Sequence, residues 1–118
     1  MKDTRTEFSK NVIELIQSIP KGHVTTYGLI ARLAGNPRGS RRVGWLLHSS
    51  TQKYDLPWQR VIRADGSLSF PDHSPNFMMQ KQLLEAEGIA IQNGRVDLNK
   101  FLWKGESLQG EADWFELL

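Results

Sequence analysis

The sequence predicts a mainly helical α+β domain that contains a helix-turn-helix and one or two small hairpins. Three observations predict this fold class. Apolar residues recur at helical spacing in several segments, two of these segments are short and separated by a turn that contains Gly35, and Asp65-Gly66 and Asn93-Gly94 are dipeptides typical of hairpin turns. With 118 residues the chain is long enough for one domain with an ordinary core.

The first predicted helix begins near Thr4, which has capping-box spacing to Glu7, and Pro20-Lys21-Gly22 ends it. Its apolar positions fall on one helical face: Phe8, Val12, Leu15, Ile16 and Ile19. We therefore expect this helix to bury one side against the rest of the domain.

The helix-turn-helix follows a short extended segment, residues 23–26, which ends in threonines that can cap a helix. Residues 27–34 are predicted as its first helix, which Gly35-Asn36-Pro37 ends. Ser40 is expected to cap the second helix, whose apolar side is formed by Val43, Leu46 and Leu47.

Two hairpins are predicted in the second half, one centred on Asp65-Gly66 and one on Asn93-Gly94. Between them, Ser74-Pro75 combines a capping residue with a proline suited to the first helical position. A fourth helix is predicted from there to about Glu87, ending at Gly88.

Charge is unevenly distributed along the chain, although its net value is only +2. A basic segment without acids contains four arginines: Arg32, Arg38, Arg41 and Arg42. Residues 105–118 contain four acids and no base. We expect residues 1–104 to form one domain that binds nucleic acid through the basic segment, and residues 105–118 to be a short acidic extension of it.

Several kinds of site are not expected. The chain has no cysteine, which excludes disulfides, thiolate catalysis and cysteine-bound metals. The three histidines, His23, His48 and His73, lack ligand spacing, so neither a metal nor a cofactor is expected. No apolar run has membrane-spanning length and no secretion signal is visible, which predicts a cytoplasmic protein with no membrane partner.

The beginning of the second helix of the helix-turn-helix is the candidate nucleic-acid contact. Free N–H groups and the positive end of the helix dipole suit phosphate there. Gly39 and Ser40 are small, which favours approach to a minor groove over base reading in the major groove. The alternative is two core helices with a solvated basic face.

Trp58 stands in a polar turn led by Pro57, which restricts the backbone beside it. A flat aromatic side chain on a stiff support, outside any periodic element, suits a stacked or flipped base. The alternative is a core tryptophan.

Three stretches, VTTYGLIARLAGNPRGSRRVGWLL, PWQRVIRADGSL and KQLLEAEG, resemble the C-terminal domain of the O6-alkylguanine-DNA alkyltransferases in order and spacing. In that family a Pro-Cys-His-Arg block carries the cysteine that accepts the alkyl group, helped by a histidine, a water and a glutamate. Here Trp58 stands at the cysteine position and Gln59 at the histidine position, so the resemblance implies no alkyl transfer and no catalytic residue. Ser50 replaces a structural asparagine, and Glu87 matches the glutamate, for which we expect a structural role.

The pattern is similar to the alkyltransferase-like proteins, which carry tryptophan in place of that cysteine. The resemblance implies a monomer that binds double-stranded DNA containing O6-alkylguanine, flips the base without repairing it, and passes the lesion to nucleotide-excision-repair proteins. In a bacterium such a protein would be associated with the nucleoid.

The resemblance also implies roles for individual residues. Tyr27 matches a tyrosine that crowds the phosphate 3′ to the lesion, and Arg41 matches an arginine that fills the vacated stack. The expected lesion-pocket residues are Tyr27, Leu47, Pro57, Trp58 and Val61, together with Ser69 and Phe70 from a loop that does not match the family's own pocket loop. The expected DNA-binding residues are Thr26, Arg38, Gly39, Ser40, Arg41, Arg42 and Gly44.

Two other functions are compatible with these residues. One is an enzyme in which Glu87 or a histidine activates water to dealkylate or excise a base. The other is a sequence-specific helix-turn-helix regulator, for which we would expect a dimer and a major-groove footprint.

Overall fold

A computed structural model describes residues 4–105, without the side chains of Thr4 and Arg5. The elements in chain order are α1 (Thr4–Ser18), β1 (Thr25–Thr26), α2 (Tyr27–Leu33), α3 (Ser40–Tyr54), a 3₁₀ turn (Trp58–Arg60), β2 (Val61–Ile62), α4 (Pro75–Ala86), β3 (Ile91–Gln92), β4 (Arg95–Val96) and α5 (Leu98–Phe101). The predicted mainly helical α+β class is confirmed. The predicted cap at Thr4 and the acidic extension beyond Gly105 lie outside the described side chains and residues, so the boundary after residue 104 stays a prediction.

Two apolar clusters form the core. The first packs α1 against α2 and α3 and includes the apolar positions of α1 that the helical spacing predicts. The second lies between α4 and the hairpin of β3 and β4, around Phe77, Leu84 and Val96. Trp58 packs against the edge of the first cluster. It lies in the segment that connects α3 to the second cluster.

Strand β2 links the two clusters and corrects the first predicted hairpin. The turn at Asp65-Gly66 does form, with φ of +87° at Gly66 and a bond from the Arg63 N–H to the Ser67 carbonyl. However, β2 pairs in parallel with β1 rather than with the segment after the turn. Both residues of β2 are fully buried, so this strand lies inside the protein. Its partner, β1, comes from the first half of the chain. The second predicted hairpin, β3 and β4, is confirmed as an antiparallel pair.

Helix caps agree with the sequence at two positions and differ at a third. The Thr26 hydroxyl accepts from the Leu29 N–H at 3.2 Å, and the Ser74 hydroxyl accepts from the Phe77 N–H at 3.2 Å. Ser40, the expected cap of α3, is instead the first helical residue, and Gly39 occupies the cap position without a side-chain bond. A β-carbon on Gly39 would lie 2.6 Å from Cζ of Phe8, so packing against α1 requires glycine there.

Two features complete the described part. Helix α5 was not predicted, because its single turn is too short for periodicity; Asp97 caps it by accepting from the Asn99 N–H at 3.0 Å. Within residues 4–105, none of the helices combines the length and the apolar character needed to cross a bilayer.

Candidate functional site

A pocket of about 360 Å³ opens where α2, α3 and the 3₁₀ turn meet. Its lining combines aromatic, aliphatic and polar side chains: Tyr27, Gly44, Leu47, His48, Thr51, Trp58, Phe70 and Asn76. A volume of this size, with mostly apolar walls and a few polar groups, is typical of a site for a small molecule or a single base.

Trp58 forms one wall of the pocket and its backbone is held by a tight turn. The Trp58 N–H donates to the Leu56 carbonyl at 2.8 Å, across Pro57 with φ of −75° and ψ of 68°. These values are those of an inverse γ-turn, for which the proline ring fixes φ in advance. The Trp58 ring meets the Phe70 ring edge-on, with centroids 5.9 Å apart. The indole therefore has a defined position before any ligand arrives.

The structure brings four of the seven expected pocket residues into the lining, namely Tyr27, Leu47, Trp58 and Phe70. The other three lie elsewhere. Val61 is fully buried in the first core cluster, and the Ser69 hydroxyl donates to the Val61 carbonyl at 2.8 Å. Pro57 shapes the turn beneath Trp58 without lining the pocket.

Three lining residues, His48, Thr51 and Asn76, were not expected from the sequence. The spacing along α3 contained a signal for two of them. Gly44, Leu47, His48 and Thr51 follow at steps of three and four, which places them on one helical face. Asn76 gave no such signal, because it reaches the pocket from the first turn of α4.

The expected DNA-binding residues separate into four groups. Arg38 and Arg41 are exposed beside the beginning of α3, and Gly44 lines the pocket. Ser40 is half-buried in the first turn of α3, next to the buried Gly39.

The other two expected residues are engaged within the protein. Nη2 of Arg42 donates to the Ser9 hydroxyl at 3.1 Å, so this half-buried guanidinium is directed towards α1. The Thr26 side chain is buried and serves as the cap of α2. A phosphate contact by Arg42 would have to use the N–H groups that the Ser9 hydrogen bond leaves, and one by Thr26 would need its buried hydroxyl to become accessible.

Glu87 is the acceptor of a buried hydrogen-bond network. Its carboxylate accepts from Nε of Arg60, from the Gly22 N–H and from the Gln59 amide, each at 2.9 Å. Arg60 also donates from Nη1 to the Ile19 carbonyl at 2.9 Å. These contacts confirm the expected structural role of Glu87, because they join the ends of α1 and α4 to the 3₁₀ turn.

The same network sets the protonation of Glu87. Burial alone would raise the pKa of its carboxyl, but the hydrogen bonds from Arg60, Gly22 and Gln59 and the positive charge of Arg60 outweigh burial, so the pKa lies below its usual value. A carboxylate that is already saturated with donors is a poor base for a water molecule. Glu87 is also absent from the pocket lining.

The described residues offer no candidate metal-binding site. Across positions 4–105, histidine, aspartate and glutamate side chains form no group of three that could hold an ion.

Comparisons with known proteins find relatives of this chain in sequence and in fold. The family model described as the DNA-binding domain of 6-O-methylguanine DNA methyltransferase matches residues 7–89. A relative from Escherichia coli K12, named DNA base-flipping protein, is 39% identical over 97 residues, which are 81% of this chain and 74% of that protein. Alkyltransferase-like protein 1 from Schizosaccharomyces pombe is 36% identical over 103 residues, covering 83% of this chain and 95% of that protein.

A solved structure gives the same result for the fold. The crystal structure of S. pombe Atl1 in complex with damaged DNA containing O6-carboxymethylguanine has a TM-score of 0.75 and 35% sequence identity to this chain. The match covers 88% of this chain and 99% of that one.

Proposed function

The chain belongs to the family of the 6-O-methylguanine DNA methyltransferase DNA-binding domain, and from that premise we propose that it recognises O6-alkylguanine in duplex DNA by base flipping, without removing the alkyl group. The observation that carries the proposal is the aromatic-walled pocket beside the basic beginning of α3. The names of the relatives, a base-flipping protein and an alkyltransferase-like protein, support the same function.

The pocket supplies what a flipped base needs. Extruding a base costs a few kcal/mol of stacking and pairing. The face of Trp58 can return about 1–3 kcal/mol by stacking, and Arg41 can occupy the gap left in the duplex. An alkyl group on O6 would lie against apolar walls such as Leu47, which contributes about 0.8 kcal/mol per buried CH₂. An O6-alkylated guanine has lost part of its normal pairing, so its extrusion costs less than that of guanine. Selectivity for the lesion then follows from this lower cost and from burial of the alkyl group.

Alkyl transfer has no cysteine thiolate to accept the group in this pocket, because the chain contains no cysteine. Trp58 stands where the resemblance places the nucleophilic cysteine, and an indole cannot accept an alkyl group as a thiolate does. The Gln59 amide is not a base near neutral pH, and its nitrogen already donates to Glu87. Water activation by Glu87 has little support, because its carboxylate is saturated with donors and its pKa is lowered.

The test is a titration of the protein against two duplexes that differ in a single O6-methylguanine, followed by mass spectrometry of the recovered strands. We expect tighter binding to the damaged duplex and an intact methyl group. Loss of the methyl group or of the base would make the protein an enzyme. Preference for one undamaged sequence would instead favour a helix-turn-helix regulator.

We further propose that the protein binds as a monomer, acts on the DNA of the cytoplasm or nucleoid, and presents the lesion to nucleotide-excision-repair proteins. The family resemblance supports these three points. Sedimentation of the complex with a short duplex should give one protein per lesion. A reconstituted excision reaction should be faster on the damaged duplex when the protein is present, and unchanged on the undamaged one.

A further inference from the structure

Trp45 is the most exposed of the large apolar side chains in the described part of the chain, with 62% of its surface accessible. It lies on α3, the helix that also forms one side of the pocket. A single exposed apolar residue needs no explanation by itself. Its position relative to two other side chains of α3 gives it significance.

Arg41, Trp45 and His48 share one face of α3. At 3.6 residues per turn, the steps of four and three between them keep the three side chains within about 60° around the helix axis. His48 lines the pocket, and its ring centroid lies 5.9 Å from that of Trp45. Trp45 therefore stands between the exposed Arg41 and the rim of the pocket, with the His48 ring beside it.

We propose that Trp45 is a DNA-contacting wedge that packs against the bases and sugars next to the flipped nucleotide. The inference rests on the proposed function, because it assumes that α3 faces the duplex. Proteins that bind the minor groove often insert apolar side chains at a base step and partly unstack it. The sequence predicted that the small residues Gly39, Ser40 and Gly44 let α3 approach the minor groove closely, and Trp45 would require a groove that is opened further than these residues alone require.

With this wedge, α3 can both fill the space left by the flipped base and hold the neighbouring base step apart. Arg41 can occupy the space left by the flipped base, whereas an indole one helical turn further along can hold the neighbouring step apart. The flat ring stacks on any base, so the contact carries no sequence preference. Trp45 would then contribute to affinity for duplex DNA, while the pocket residues contribute to selectivity for the lesion.

Binding of Trp45→Ala, Trp45→Phe and a control, Met79→Ala, to the two duplexes tests the wedge. Met79 is 52% exposed on α4 and does not line the pocket. We expect Trp45→Ala to weaken binding to the damaged duplex by roughly 5- to 150-fold, as expected for losing one stacked aromatic. Trp45→Phe should lose less, and Met79→Ala should bind as the original protein does. Melting temperatures should be equal, because the side chain is exposed.

A direct measurement uses the unsubstituted protein labelled with 5-fluorotryptophan, with the Trp45 fluorine resonance assigned from Trp45→Phe. The Trp45 resonance should shift on adding either duplex. An unchanged Trp45 resonance, or unchanged affinity of Trp45→Ala, would overturn the wedge even if the lesion is preferred. Equal affinity of the original protein for both duplexes, with a shifted Trp45 resonance, would retain the wedge and overturn lesion recognition.

Discussion

Trp58 presents an aromatic surface to the pocket, and Pro57 holds the backbone that supports it. The proline closes the inverse γ-turn, and the indole becomes a wall whose backbone is held by the bond to the Leu56 carbonyl. Phe70 supports the ring from the side. Because the wall is already ordered, binding of a stacked ligand costs the conformational entropy of the ligand but little of the protein's. This smaller entropic cost favours affinity.

Replacing Trp58 with alanine should weaken binding to the O6-methylguanine duplex by about 1–3 kcal/mol, because a stacked aromatic surface is lost. Binding to the undamaged duplex should change little, since the pocket is then empty. Trp58→Phe is the matched control and should retain part of the selectivity. Titrations with both duplexes measure this, and equal losses on the two would rule out a pocket role for Trp58.

Replacing Glu87 with alanine should reduce the free energy of unfolding by about 3 kcal/mol, because Arg60 would stay partly buried without its counter-charge. Glu85→Ala, an exposed position on the same helix, is the control and should change stability little. Denaturant unfolding at neutral pH measures both. A loss for Glu87→Ala no larger than for Glu85→Ala would show that the network does not stabilise the fold.

The same residue gives a pH dependence. Because the pKa of Glu87 is lower in the folded protein, its contribution to stability is present above the unfolded value of about 4.5 and is lost as pH falls below it through the folded pKa. The stability difference between the original protein and Glu87→Ala should therefore shrink as the pH is lowered through this range. A difference that stays constant would contradict the shift.

At the scale of elements, α3 has three different sides. One side packs in the core through Val43, Leu46 and Leu47, which are buried. A second side forms the pocket wall, and a third presents Arg41 and Trp45 to solvent. The glycine before this helix and the glycine within it serve different purposes, since Gly39 avoids a collision with α1 whereas Gly44 leaves room beside Tyr27.

Alanine at these two glycines should change stability by different amounts. Gly39→Ala should reduce stability by about 1–3 kcal/mol, because its β-carbon would lie 2.6 Å from the Phe8 ring. Gly44→Ala places its β-carbon 3.9 Å from the Tyr27 ring, an ordinary contact, so stability should be kept or slightly raised by better helix propensity. Thermal unfolding distinguishes the two, and equal effects would contradict the close contact at Gly39.

For the whole molecule, a net charge of +2 is too small to attract DNA strongly by itself. Affinity for DNA therefore depends on where the positive charges lie. Arg32, Arg38 and Arg41 are exposed on or beside the helix-turn-helix. Arg42 belongs to the same basic segment but is bonded to Ser9. We therefore expect fewer phosphate contacts than the four arginines of the sequence suggest.

The dependence of DNA affinity on salt tests this distribution. Arg38→Ala should lower the slope of log affinity against log salt by about 0.9, the value for one phosphate contact. Lys100→Ala, on α5 and outside the helix-turn-helix, is the control and should leave the slope unchanged. Arg42→Ala should also leave it nearly unchanged. A slope that falls equally for all three would show a diffuse interaction without a defined face.

The sequence by itself determined the features that depend on neighbouring residues. The four main helices, the caps at Thr26 and Ser74 and the hairpin at Asn93-Gly94 follow from spacing and local hydrogen bonds, which a short segment contains in full. The family resemblance was equally readable, because its motifs are continuous stretches. Trp58 was identified for the same reason, from its proline-led turn.

Only the tertiary structure decided the contacts between distant segments. The parallel pairing of β1 with β2 and the glycine cap of α3 depend on which segment packs nearby, and nothing local specifies that. Asn76 lines the pocket although the sequence did not indicate it, and Val61 does not line it although it was expected to. Whether a residue lines the pocket depends on which side of its strand or helix faces the opening. Which side faces inward is a property of the packed molecule, since it follows from the burial of both core clusters together.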